Sequence, residues 1–178
     1  YADGSIPLML IAGAVTSFVL GMGMTVSACY IFLSILLAPA LVNAGLNPLA
    51  SHLFILYWGM LSYITPPVSL AAITAAGVAG SRATKTGVYA MRLGGILFIL
   101  PFLFVLNPSL ILQGDIARIL MSAVTAIAAI WLIASAMEGY LYRVGVIGWP
   151  LRVTALIAGG LLIYPDAGSE AIGLLVVA

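Results

Sequence analysis

Residues 4–81 contain no Asp, Glu, Lys or Arg, so 78 consecutive residues carry no formal charge. A soluble fold of that length needs charged side chains on every outward face, and roughly a quarter of an ordinary soluble domain is charged. Here 6% of the chain is charged and 64% is hydrophobic. Such a chain cannot clothe its surface for water, so its solvent is lipid. In hydrocarbon an α-helix satisfies its own backbone, which predicts an all-α polytopic membrane protein lying in a lipid bilayer. A net charge of +1 leaves no basic patch, which excludes nucleic acid as a partner. One histidine and one cysteine are too few for a zinc site or an internal disulfide, and no cofactor is expected.

At about 20 residues per crossing the uncharged stretch would hold three or four straight spans. Helix-breaking residues fall inside it instead. Ile6 to Leu20 meets GMGMTVS (Gly21 to Ser27) and resumes from Ala28 to Val42, which reads as a re-entrant helical hairpin over 6–42 with a glycine-rich tip. NAGLNP (Asn43 to Pro48) is a turn by composition. Leu49 to Gly80 reads as a discontinuous helix interrupted by SYITPPVS. SRATKTGVYAMR is expected to be a loop. About three spans come after it: Leu93 to Gly114 bent at Pro101, Ile116 to Tyr142, and Gly145 to Tyr164, where Gly159 and Gly160 permit close helix contact. The expected division is 1–92 and 93–178, with a truncated apolar run from Ala171. YADGSIP lacks the basic region of a leader, so the chain is expected to be a piece of a longer polypeptide.

Basic residues set the expected orientation. Arg82, Lys85, Arg92, Arg143 and Arg152 fall on the cytoplasmic side, while Asp115, Asp166 and Glu170 fall outside. Arg118 sits at a span start and snorkels.

Two segments could carry chemistry. In Ser62-Tyr63-Ile64-Thr65-Pro66-Pro67-Val68-Ser69 each proline lacks an N–H and crowds the carbonyl one turn back. Freed carbonyls in a membrane need protein, water or an ion as partner. A proline kink satisfied by Ser62 and Thr65 is the plainer reading; paired prolines beside several hydroxyls exceed what a bend needs. At the tip, Gly21 and Gly23 allow unusual backbone and Thr25 and Ser27 add hydroxyls, although small residues in membrane helices also serve as packing faces, and Met22 and Met24 read as packing. His52 and Cys29 read as packing residues. No ionisable side chain lies in either segment, which favours neutral oxygens as ligands over a proton relay. An intramembrane protease would need a serine–histidine pair or two buried aspartates, and neither GxSG nor GxGD occurs, so no enzyme is expected. A non-transporting membrane scaffold or assembly subunit is the alternative to transport.

On the run VLGMGMTVSACY and the segment SYITPPVSLAAITAAG, the chain resembles the large membrane subunit of tripartite ATP-independent periplasmic (TRAP) transporters. The likeness covers roughly Ile6 to Arg92, and the last spans look like the C-terminal portion of the type in which small and large subunits are fused. The resemblance implies a multi-pass permease of a bacterial or archaeal cytoplasmic (inner) membrane. It implies a sodium-driven symporter of elevator type, importing an organic acid delivered by a periplasmic binding protein. The hairpin and discontinuous helix would be one of two inverted repeats, the N-terminal one being absent from these residues. Candidate ion- and substrate-binding residues by that likeness are Gly21, Gly23, Met24, Thr25, Ser27, Thr65, Pro66, Pro67, Val68 and Ser69. Sodium would be held among Thr65, Val68, Ser69 and Thr25. The chain has Ser69 where the family commonly has glycine, and no acidic residue near the tip.

Overall fold

A computed structural model of the chain describes residues 5–163. Tyr164, Asp166, Glu170 and the run from Ala171 lie outside the described residues. The described residues fall into two compact units, divided between Val105 and Leu106.

The first unit begins with α1 (Ile6–Gly21), whose first turn is closed by Ser5 accepting from the Leu8 amide at 3.3 Å, with Pro7 at a position where no amide is missed. Residues 22–25 turn the chain, and α2 (Val26–Leu36) starts on Thr25 as N-cap. Pro39 cannot continue that helix, so a short α3 (Ala38–Asn43) comes after a break at Leu37. Asn47 caps α4 (Pro48–Leu61), accepting from the Ala50 amide at 3.1 Å. The chain then leaves helical geometry until α5 (Leu70–Ala79), which ends on Gly80 in the left-handed region at φ 63°.

Helices α1 and α4 run parallel, since Gly13 faces Phe54, Phe18 stacks edge-on against Trp58, and Gly21 abuts Gly59. Leu10, Ala14, Leu33, Leu41, Phe54, Ile55 and Leu61 form the buried interior of this unit. Trp58 also meets Phe98 and Phe102 edge-on, at 5.8 and 5.7 Å between ring centres.

The chain departs from expectation in three places. SRATKTGVYAMR is not a loop: residues Ala83–Leu93 form helix α6. Gly87 lets this helix seat against Pro66 and Ser69, and Gly94 just past its end seats against Ile64. Leu93 to Gly114 is not one helix. It comprises a 3₁₀ turn Gly95–Phe98, α7 (Leu100–Leu106) and a second 3₁₀ turn Pro108–Ile111, and the 67° bend lies beside Gly94. Pro101 falls in the first turn of α7, where its missing amide costs nothing.

In the second unit, α8 (Ile116–Glu138) is the one described helix long and apolar enough to cross a membrane alone; the bent pair 83–93 and 95–106 would make a second. Past its end lies the third departure, a small β-hairpin in place of a direct entry into the last helix. Tyr140–Leu141 (β1) pairs antiparallel with Gly145–Val146 (β2), so α9 (Trp149–Ile163) starts later than Gly145. Gly139 ends α8 at φ 71°, and within the hairpin Arg143 and Gly145 take positive φ values of 73° and 93°. Helices α8 and α9 pack through Ala129, Leu132, Ala158 and Leu162. Gly159 makes the close approach, where a Cβ would stand 2.6 Å from Ile133 Cγ1, whereas Gly160 meets nothing within 4 Å.

Candidate functional site

The break between α4 and α5 is a complete interruption spanning 62–69 rather than a kink. Its backbone is turned, not extended, with a cis Pro66–Pro67 bond and Ser69 in the left-handed region at φ 33°, ψ 49°. The carbonyls freed at the end of α4 find local donors. The Met60 carbonyl accepts from the Tyr63 amide at 3.0 Å, and Leu61 accepts from the Ile64 amide at 3.2 Å and the Thr65 hydroxyl at 2.7 Å. The Ser62 hydroxyl donates to the Gly59 carbonyl at 3.0 Å. The Tyr63 carbonyl accepts from the Ala71 amide at 3.1 Å, drawing the start of α5 back onto the break. Thr65 and Ser69 are buried, Pro66 and Val68 are half-buried, and Pro67 is exposed.

The tip lies against this break. Gly21 is buried because a Cβ there would collide with the Gly59 carbonyl, so its role in the fold is close packing of α1 on α4. Gly23 is exposed and has nothing within 4 Å of where its Cβ would be. Thr25 spends its hydroxyl accepting from the Ala28 amide at 3.4 Å, and Ser27 is exposed on the first turn of α2. The Met24 carbonyl accepts from the Tyr63 hydroxyl at 3.3 Å, so the structure brings the two sequence-selected segments together.

Because α1 and α4 run parallel and end side by side, two negative helix ends meet at Gly21 and Gly59, while the positive end of α2 begins at Val26 beside them. A cavity of about 350 Å³ opens next to this point, lined by Val26, Tyr57, Met60, Leu61, Tyr63, Ile64 and Leu97. Its wall is apolar and aromatic. His52 lies away from the break, sharing a 3.0 Å hydrogen bond with the Tyr30 hydroxyl between α2 and α4. Cys29 is buried, its thiol 4.0 Å from the Ser17 carbonyl. Among the described residues no group of three or more His, Cys, Asp or Glu could hold a metal ion.

Sequence reasoning gave no role to Tyr63, Gly59, Gly87 and Gly94. Gly87 and Gly94 are both close-packing positions, and no local pattern in the sequence marks them as such.

The family model of the tripartite ATP-independent periplasmic transporter, DctM component, matches residues 2–119. No curated protein matches the chain, and neither does any solved structure.

Proposed function

The chain belongs to the tripartite ATP-independent periplasmic transporter family, DctM component, and from that premise we propose that its tip and break form a sodium and substrate site. The family membership makes it a membrane component of a secondary transporter that works with a periplasmic binding protein. In this reading the cargo is an organic acid delivered by that protein. The hairpin 6–42 and the broken helix form one of two inverted repeats that move together across the membrane.

The observation that carries the reading is the meeting of two helix C-termini at Gly21 and Gly59 within a stretch, residues 4–81, that contains no Asp, Glu, Lys or Arg. Half a negative charge sits at each end, and in a low-dielectric setting a cation is the natural complement. Carbonyl and hydroxyl oxygens suit a hard cation such as sodium and give a proton little purchase. The ligands we assign are the Thr65 and Ser69 hydroxyls and backbone oxygens at Thr65, Val68 and Thr25. The N-terminus of α2 faces the acid's carboxylate, and the neighbouring apolar cavity takes its carbon chain.

The test is uptake of a carboxylate in proteoliposomes holding the intact permease, with its binding protein outside. An inward sodium gradient should drive accumulation. Accumulation that ignores sodium and follows an imposed pH gradient would overturn this mechanism.

A further inference from the structure

Tyr63 makes two connections at once. Its carbonyl accepts from Ala71 and holds α5, and its hydroxyl donates to Met24 and holds the hairpin tip. Residues 22–25 make no other hydrogen bond to another element among the described residues; the Met22 and Gly23 amides turn back to Val19 and Leu20, and Thr25 caps its own helix. Gly23 touches nothing through its open side. The flanking helices pack on Gly59 through Gly21, Cys29 and Leu33, and the tip between them is fixed by one hydrogen bond to the break. Behind the break, α6 presses Gly87 on Pro66 and Ser69, and Gly94 meets Ile64, so Tyr63 stands on a braced segment.

We propose that Tyr63 is a positioning residue, a latch that fixes the hairpin tip onto the broken helix so that the oxygens of both halves hold one geometry. The inference rests on the reading of tip and break as one site. A multi-oxygen cation site loses affinity when one half can lift away, and a bond at the tip prevents that at small cost in freedom elsewhere. The buried Cys29 reports on the latch, because its thiol lies where a Gly59 side chain would go, 3.1 Å from that position, directly under the seat of the tip.

The experiment uses the intact permease, with the rate of N-ethylmaleimide addition at Cys29 followed on its peptide by mass spectrometry. Tyr63→Phe keeps the ring and removes the donor. Loss of one such bond should raise the labelling rate roughly two- to tenfold, and raise the sodium needed for half-maximal uptake by a similar factor. Tyr142→Phe removes an exposed hydroxyl in the other unit and should leave labelling and uptake unchanged. An unchanged Cys29 rate in Tyr63→Phe overturns the latch, whatever drives uptake. A raised rate in a permease whose uptake ignores sodium supports the latch and removes the sodium reading instead. Hydrogen exchange across 22–29 and across 116–138 separates local release from unfolding: a rise confined to the tip supports the latch, and an equal rise in both overturns it.

Discussion

Helix α4 ends within the uncharged stretch 4–81 and α8 ends on Glu138, and the two are finished in opposite ways. At the end of α8 the Arg152 guanidinium donates to the Ala136 carbonyl at 2.7 Å and the Met137 carbonyl at 2.8 Å, and it lies over the Trp149 ring at 5.2 Å. Gly139 allows this twice, by its positive φ and by leaving room for the guanidinium 3.2 Å from where its Cβ would be. At the end of α4 the carbonyls meet amides and the neutral hydroxyls of Ser62 and Thr65. One negative helix end carries a built-in cation; the other has none of its own. A neutral cap satisfies hydrogen bonding without cancelling the dipole, and on the proposed reading this is the end that draws the mobile cation. The family match, over 2–119, takes in all of the α4 end and stops in the first turns of α8.

The sharpest way to break this contrast is Gly21→Val. The obstacle is the backbone of Gly59, which cannot rotate aside, so α1 and α4 must part and the two helix ends separate. Uptake should fall by more than tenfold, and overpacking should cost about 1–3 kcal/mol in a denaturation assay. Gly160→Val, with open space around it, should be tolerated. Normal uptake by Gly21→Val would mean the meeting of the two ends is irrelevant to transport.

Arg152→Gln tests the other side. Two charge-assisted bonds go at once, each worth about 1.5–3 kcal/mol, so the melting temperature should drop by several degrees. The sodium needed for half-maximal uptake should stay where it was, since Arg152 finishes a helix in the other unit. A shifted sodium requirement would erase the distinction between the two ends.

Thr65→Val comes next. It keeps the side-chain shape and deletes one oxygen, and the Leu61 carbonyl still has the Ile64 amide, so abundance in the membrane should remain near normal. Half-maximal uptake should need several times more sodium, about 1 kcal/mol of lost ligation. Pro67→Ala should instead lower the maximal rate, by easing closure of the break into a helix. If Thr65→Val leaves the sodium requirement unchanged, the hydroxyl serves Leu61 alone.

The tip and the break were legible because glycine and proline act on their own backbone and need no partner to be understood. The two arms, the turn before Pro48 and the split between α4 and α5 arise from that local chemistry. Helix α6 was not legible, since Arg82, Thr84, Lys85 and Thr86 read as loop composition, while the surface that Gly87 meets is made by Pro66 and Ser69, much earlier in the chain. The hairpin 140–146 was hidden for a similar reason: Tyr140 and Tyr142 look like the aromatic rim of a span, and the turn puts Arg143, a residue with no turn preference, at positive φ. Tyr63 was visible within the proline segment, yet its bond to Met24 joins residues 39 apart and no local pattern encodes that.

The smallest effect belongs to Ser27→Ala, and it sharpens which tip oxygens count. Ser27 is exposed on the first turn of α2, and its neighbour Thr25 already caps the helix, so no backbone amide depends on it. An exposed position without a partner shifts stability by less than about 0.5 kcal/mol, and alanine favours the helix slightly over serine. If the ion is held by the break and by backbone at Thr25, sodium titration of uptake should superimpose on that of the unchanged permease. Should Ser27→Ala raise the sodium requirement as far as Thr65→Val does, the ion must sit closer to the hairpin than to the end of α4. The contrast between the two helix ends would then lose its functional meaning, because the charge left open on α4 would not be what draws the cation in.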